Sequence, residues 1–381
     1  MTTLNAHLLF RAGGAVITVI KERNSLLFFV MQNGLIYQQD VGLFLDIRSR
    51  VLYPGLSEMG LLGFTFHPNN NSRFFLWFSE EPNNPPPGFN HINRLEEWRI
   101  IAGIPQRQVT LLRIPNPSTI HNGNNNIFYD VLTNRLILAT GDGGNSALAQ
   151  LDNQLHGKLI SIDVDNAFWL TNQNNTPVTQ VSQLGSFGSV ITVVSKGIRN
   201  PSRLDQKDGI KFMSVAGQST REFAFAFRNP NDKNFGWRAF EGPIPTLSGT
   251  TVSFPTEVIR LLHQNQIWEP YVHYANAGAS GLPPEVFRGN AISGIDLYKG
   301  PIATLNNGFI FTDLSGQVFH IHLLQSPFEI VLQLSQPISK INVNNLQGII
   351  TTMYITNSGK IYVAHSNTSG FIVTSVSELR P

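Results

Sequence analysis

Asn71-Ser72-Arg73-Phe74-Phe75-Leu76-Trp77-Phe78 is a turn followed by an unbroken run of large apolar residues. A short continuous apolar run that follows a turn reads as a strand. The same unit recurs along the chain. Asn33-Gly34 leads into Leu35-Ile36-Tyr37, Thr133-Asn134-Arg135 into Leu136-Ile137-Leu138, and Asp208-Gly209 into Ile210-Lys211-Phe212. Asn307-Gly308 leads into Phe309-Ile310-Phe311, and Ser358-Gly359-Lys360 into Ile361-Tyr362-Val363. Asn-Gly and related pairs supply the positive φ angles that tight hairpins need. Helical periodicity is nearly absent. Repeating units of several short strands are the mark of a β-propeller, and about six blades of ~60 residues would use the whole chain. The expectation is an all-β fold, a six-bladed β-propeller with four-stranded antiparallel blades, forming one domain over residues 1–381. Pro82 to Gly88 and Thr171 to Pro177 read as projecting loops.

Composition narrows the function. Of 381 residues, 41% are apolar and 14% charged, well below the ~25% charged of an average soluble domain. The polar role falls to 36 Asn. Net charge is +2, with no cationic cluster, which argues against nucleic acid as a partner. The absence of Cys removes disulfides, thiolate zinc sites, iron–sulfur clusters and a catalytic thiol. No run approaches the ~18 apolar residues of a membrane span. Charged residues Arg11 and Lys21-Glu22-Arg23 interrupt the early apolar runs, so no signal peptide is expected. The compartment is left open. Asn70, Asn174 and Asn367 lie in glycosylation sequons, which in so Asn-rich a chain are expected by chance.

Five segments carry motifs. The first is Glu58-Met59-Gly60-Leu61-Leu62-Gly63-Phe64-Thr65-Phe66-His67-Pro68. The second joins His121-Asn122-Gly123, Ala139-Thr140-Gly141-Asp142-Gly143-Gly144 and the stretch from Leu155 to Asp165. The third is Gly197-Ile198-Arg199-Asn200-Pro201. The fourth is Ala216-Gly217-Gln218 with Glu222, Asn234-Phe235-Gly236-Trp237 and Glu241-Gly242. The fifth runs from Ser293-Gly294-Ile295-Asp296-Leu297-Tyr298-Lys299-Gly300 to Phe311-Thr312-Asp313-Leu314-Ser315-Gly316. In order and spacing, from about residue 30 to 365, these resemble the soluble glucose/sorbosone dehydrogenase family. That family includes the pyrroloquinoline-quinone (PQQ) sugar dehydrogenases and the aldose sugar dehydrogenases.

The resemblance implies hydride transfer from the anomeric carbon of a sugar to PQQ, with an electron acceptor downstream. His121 matches the family's base, and an imidazole with its ordinary pKa near 6.5 suits that task. Arg199 and Asn200 match the pair that contacts the quinone, and Glu58 matches a Gln or Glu that contacts the cofactor. Gly217 and Gln218 match the positions whose backbone carbonyls hold the cofactor's Ca2+, an ion that prefers oxygen ligands. Glu222 matches a carboxylate of a second calcium, with Phe235 giving a backbone carbonyl. Asp142, in a Gly-rich turn, has two readings: it orients the site, or, as is commoner for Asp in such a turn, it is structural. Lys158 and Asp163 read as packing residues.

The chain also departs from the family. One Lys and two Arg that pair with the carboxylates of PQQ in the glucose dehydrogenases fall near Leu314, Ile349 and Thr351 here. Each charge-assisted hydrogen bond contributes about 1.5–3 kcal/mol, so their loss bears on affinity. Arg288, Lys299, Lys196 and Arg221 are the cations left to substitute. Ile120 stands where that branch has an Asp, removing one partner for the imidazole. Two function classes follow: a PQQ- and calcium-dependent aldose dehydrogenase, and a non-catalytic propeller used for binding or assembly. The second has precedent in a hedgehog-binding member of the family. High Asn and low charge also suit a virion or surface protein, alone or as a homo-oligomer. Other propeller enzymes such as lactonases are a third, smaller class.

Overall fold

The computed structural model describes residues 2–55, 57–173, 176–248, 251–252, 254–264, 270–279, 287–322, 338–367 and 372–381. The architecture is all-β and propeller-like. Two sheets have four strands: Ile17–Arg23, Leu26–Met31, Leu35–Gln38 and Gly42–Asp46 form the first, and Leu61–Phe66, Arg73–Ser79, His91–Ile101 and Ile104–Asn116 the second. The third comprises Ile127–Asp130, Arg135–Ala139, Lys158–Ile162 and Ile191–Lys196. The fourth comprises Pro201–Lys207, Ile210–Val215, Arg221–Phe227 and Val272–Asn276. Short parallel strands, Lys233–Asn234 and Arg288–Gly289, add a fifth member to these two.

The expectation of six separate four-stranded blades requires correction. Those four sheets stand apart, eight further strands form one sheet, and two short hairpins, Phe240–Glu241 with Ile244–Pro245 and Leu247–Ser248 with Thr251–Val252, lie outside them. One half holds Ile292–Tyr298, Gly308–Asp313, Gln317–His322 and Ser339–Asn344; the other holds Ile349–Ile355, Ile361–Ser366, Val373–Arg380 and Thr3–Gly13. The cause is a parallel pairing of Thr3, Leu4 and Asn5 with Asn342, Val343 and Asn344, which satisfies two strand edges at once. A single α-helix, Pro255–Gln264, occurs among the described residues.

Alternation along the strands builds the core. All seven residues of Arg73–Ser79 are buried. Phe74, Leu76 and Phe78 pack with Val19, Phe28 and Val30 towards the first sheet. Phe75 and Trp77, on the opposite face, pack with Ile127, Leu138 and Ile160 of the third. Phe309 and Phe311 face the fourth sheet while Ile310 faces Ile350 and Met353. Burying a side chain of this size contributes about 1.5–3 kcal/mol. A strand buried on both faces therefore loses the polar alternation of a surface strand.

The first strands pack on one another in sequence, from Ile17–Arg23 through Leu61–Phe66, Ile127–Asp130, Pro201–Lys207, Ile292–Tyr298 and Ile349–Ile355, and the last returns to Ile17–Arg23. Charged residues on this inner ring pair across it. Lys21 bonds Asp205, and Arg203 bonds Asp296 at 3.0 Å and the Met353 carbonyl. Burial pushes the Asp205 carboxyl up, but Lys21 and Arg203 outweigh it and hold it below its ordinary value. Lys158, buried, donates to the carbonyls of Leu148, Ala149 and His156, a packing role.

Candidate active site

In each antiparallel unit the first strand runs away from one rim and the second returns to it. Loops entering first strands therefore share a rim with loops joining second to third strands. Glu58, His121, and Arg199 with Asn200 sit in entering loops, just before Leu61–Phe66, Ile127–Asp130 and Pro201–Lys207. Asp142 lies between Arg135–Ala139 and Lys158–Ile162, and Gly217 and Gln218 between Ile210–Val215 and Arg221–Phe227. The topology gathers them at one end.

His121 is the centre. Its backbone is left-handed, with φ of 58°. For a non-glycine residue that conformation is uncommon, and such strain clusters at functional sites. Its Nδ1 lies 2.6 Å from Asp142 Oδ1, and its amide donates to Glu58 Oε2 at 2.6 Å. Asn200 Nδ2 donates to the same Glu58 oxygen at 3.0 Å, while Asn200 Oδ1 accepts from the Gly123 amide at 3.2 Å. One carboxylate thus ties loops from three sheets together. The next residue, Asn122, anchors the turn: its Oδ1 accepts from Asn93 Nδ2 at 2.8 Å and Asn116 Nδ2 at 2.7 Å.

Asp142, for which the sequence left an orienting and a structural role open, is the partner of the imidazole. It is 1% exposed, and its backbone amide donates to the Arg199 carbonyl at 2.7 Å. Its second oxygen accepts from Trp237 Nε1 at 2.7 Å. The sequence signal for both was the motif each belongs to, but nothing in spacing tied them to His121. Arg199 donates to the Ala216 carbonyl at 3.0 Å and lies over the Trp237 ring at 5.5 Å. Burial lowers the pKa of its guanidinium, opposed by the nearby carboxylates of Asp142, Glu241, Glu222 and Glu58.

Gly217 donates its amide to Glu222 Oε2 at 3.0 Å. The amides of Gln218, Ser219, Thr220 and Arg221 all converge on Glu241 Oε1, at 2.7 to 3.1 Å. With the amides turned to buried Glu241, the carbonyls of Gly217 and Gln218 accept no hydrogen bond among the described residues. Two such oxygens suit a hard cation. Burial pushes the Glu222 carboxyl up to about 8, opposed by the Gly217 amide and by Asn276 Nδ2, which donates to Oε1 at 2.6 Å. No hydrogen bond joins Phe235 to Glu222 among the described residues; the Phe235 ring packs on Phe225 and Phe227. No group of three or more His, Asp or Glu side chains among the described residues has the arrangement of a metal centre.

The donor set fits the reacting end of a quinone: Arg199 for developing negative charge, Asn200 and Glu58 for polar contact, and two open carbonyls. The anchoring end differs. Thr351 Oγ1 donates to the Ile17 carbonyl at 2.8 Å, and Leu314 brings no charge. Among the substitutes, Lys299 is out of reach, since it follows Ile292–Tyr298 at the opposite rim and pairs with Asp208. Lys196 pairs with Asp152 at 2.6 Å, and Arg288 donates to the Ala279 carbonyl.

No family model matches the chain, and no curated protein matches it. Solved structures do. The chain is similar to the PQQ-bound form of aldose sugar dehydrogenase from Streptomyces coelicolor, with TM-score 0.64 and 16% identity over 99% of each chain. It is similar to the apo-form of the soluble aldose sugar dehydrogenase from Escherichia coli, with TM-score 0.60 and 16% identity over 98% of this chain and 99% of that one. A glucose dehydrogenase matches with TM-score 0.64 and 18% identity over 97% of this chain and 98% of that one. The fold is that of the soluble sugar dehydrogenases, in line with the resemblance carried by the sequence motifs.

Proposed function

We propose that this chain is an oxidoreductase of the aldose dehydrogenase kind, in which His121 takes the proton of a sugar hydroxyl. The observation that carries the reading is the 2.6 Å bond from His121 Nδ1 to Asp142. With Nδ1 carrying hydrogen, Nε2 presents a lone pair, and it meets no hydrogen-bond partner among the described residues. A carboxylate behind an imidazole fixes its tautomer and favours its protonated form once the proton arrives. PQQ, when bound, supplies the two-electron acceptor; Arg199, Asn200 and Glu58 would hold its reacting end, and the Gly217 and Gln218 carbonyls would hold Ca2+ beside it. Arg199 would stabilise negative charge there, since its half-buried guanidinium is screened less by water than an exposed one. Glu222 and Phe235 would serve a second calcium.

We count the eight-stranded sheet as two blades fused along their outer edges, which makes a six-bladed ring in a single domain over residues 1–381. The likeness to the sugar dehydrogenases over nearly the full length supports that count.

A second reading, a non-catalytic propeller for binding or assembly, is favoured by the neutral residues at Leu314, Ile349 and Thr351. One experiment separates the two. The protein is reconstituted with PQQ and Ca2+, an aldose panel and an electron-accepting dye are added, and dye reduction is followed. Reduction that depends on PQQ supports the enzyme. A folded protein that reduces no dye and leaves PQQ absorbance unchanged supports assembly.

A further inference from the structure

Asp142 has two carboxylate oxygens, and each has its own partners. Oδ1 takes His121 Nδ1 at 2.6 Å and the Gly144 amide at 2.8 Å. Oδ2 takes the indole Nε1 of Trp237 at 2.7 Å. Burial excludes water as a competing donor, so the indole decides how the carboxylate is turned. Trp237 is itself fixed. It is 3% exposed, its amide donates to the Gly197 carbonyl at 3.1 Å, and its carbonyl accepts from Gln150 Nε2. The other side of the same ring system meets Arg199, whose guanidinium carbon lies 5.5 Å from the ring centroid. That guanidinium has an Nε with no acceptor among the described residues, so the aromatic contact is a large part of what orients it.

We propose that Trp237 is a positioning residue of this centre, setting the Asp142 carboxylate on His121 and the Arg199 guanidinium beside it through one indole. This rests on reading His121 as the base. A hydrogen bond to a carboxylate stabilises its charged form. Removing the indole N–H leaves Asp142 less satisfied, so its charge is offered more fully to His121. The charged groups facing His121 are Asp142 and Glu58, with Arg199 across the loop. Of these, the indole donates a hydrogen bond to Asp142.

The test is Trp237→Phe, which keeps the ring over Arg199 and drops the donor. The His121 imidazole is titrated by nuclear magnetic resonance, with His121→Gln assigning its signals. The expected result is a rise of the His121 midpoint by up to about one pH unit. The acid limb of kcat/KM should move upward with it while KM stays near its wild-type value. A midpoint that does not move overturns the proposal, because a merely structural tryptophan would leave it in place. Should Trp237→Phe fail to fold, wild-type protein labelled with 5-fluorotryptophan gives the same answer. The Trp237 fluorine resonance, assigned by replacing the other tryptophans one at a time, should titrate with His121 and stop doing so in His121→Gln. A resonance blind to that titration overturns the proposal. If the coupling is present and no sugar is oxidised, the positioning stands and the dehydrogenase reading fails.

Discussion

His121 Nδ1 lies 2.6 Å from Asp142 Oδ1, a pairing made across 21 residues by two loops on one rim. His121 reaches it from a left-handed backbone, and Asp142 from a Gly-rich turn in which Gly141 lies against the His121 carbonyl. A Cβ at Gly141 would fall 2.0 Å from that oxygen. The pair is therefore built by close backbone approach as much as by side-chain choice.

If the pair acts as the base, His121→Ala should lower dye-linked kcat/KM by about 10²-fold or more, the low end of what a positioned base contributes. Asp142→Asn should lower it in the same direction while leaving far-ultraviolet circular dichroism unchanged. Full activity in His121→Ala, measured after PQQ and Ca2+ loading, would remove His121 from the mechanism, and full activity in Asp142→Asn would show that the imidazole needs no carboxylate behind it.

Glu58 separates charge from hydrogen bonding. Glu58→Gln keeps an oxygen for the His121 amide and Asn200 Nδ2, and stability should change little. Glu58→Ala leaves both donors unmet and should cost about 1–3 kcal/mol. Urea unfolding of the two variants against wild type checks this. Equal losses would mean that the carboxylate charge, not its acceptor geometry, holds the three loops.

The Lys21–Asp205 pair crosses the inner ring between the first and fourth sheets, 184 residues apart. Breaking one partner of a buried pair costs about 3–5 kcal/mol, while replacing both by apolar residues costs far less. Lys21→Met should therefore be strongly destabilising, and Lys21→Met with Asp205→Leu should recover much of the loss. A double-mutant cycle by chemical denaturation measures the coupling. Additive losses would show that the pair does not clasp the ring.

Acid should loosen the fold through its buried histidines. Burial pushes the His156 imidazole down to about 4 from an ordinary 6.5, opposed by the Pro115 carbonyl and, more weakly, by the Asp142 charge. The folded state keeps it neutral, and the unfolded state takes up a proton below pH 6.5. Its stability contribution is present above that pH and is lost as the pH falls towards 4, by on the order of 3 kcal/mol. His156→Gln should flatten the fall in unfolding free energy over that window. An unchanged slope would show that His156 is accessible to protons in the folded state.

Much of this was legible because it is local. Phe74 and Phe75 point to opposite cores as alternation requires, and Asp208-Gly209 turns with φ of 53° and 74° as its composition suggests. What escaped is long-range. Nothing in Thr3-Leu4-Asn5 announces a parallel partner at Asn342-Val343-Asn344, because an edge pairing needs only backbone. Asp142 sits among glycines, so its sequence left an orienting role beside a turn role, and its two partners, which decide between them, come from other loops. Glu241 looks like an ordinary acidic residue until four amides are seen to converge on it.

Gly217 gives the last prediction, which concerns the metal. A Cβ there would lie 1.6 Å from the Arg221 carbonyl and 2.8 Å from Glu241 Oε1. Both atoms belong to the arrangement that turns four amides inward and leaves the Gly217 and Gln218 carbonyls open. An alanine cannot be accommodated without moving the loop, so Gly217→Ala should disperse the two carbonyls. A cation that binds only the folded state raises its stability by an amount that grows with concentration over the dissociation constant. Wild type should therefore melt at a higher temperature in millimolar Ca2+ than in chelator, and Gly217→Ala should lose that increment while still melting cooperatively. Gln218→Ala should keep it, because its contribution is a backbone oxygen. A wild-type protein whose melting ignores Ca2+ would mean that the open carbonyls hold no metal.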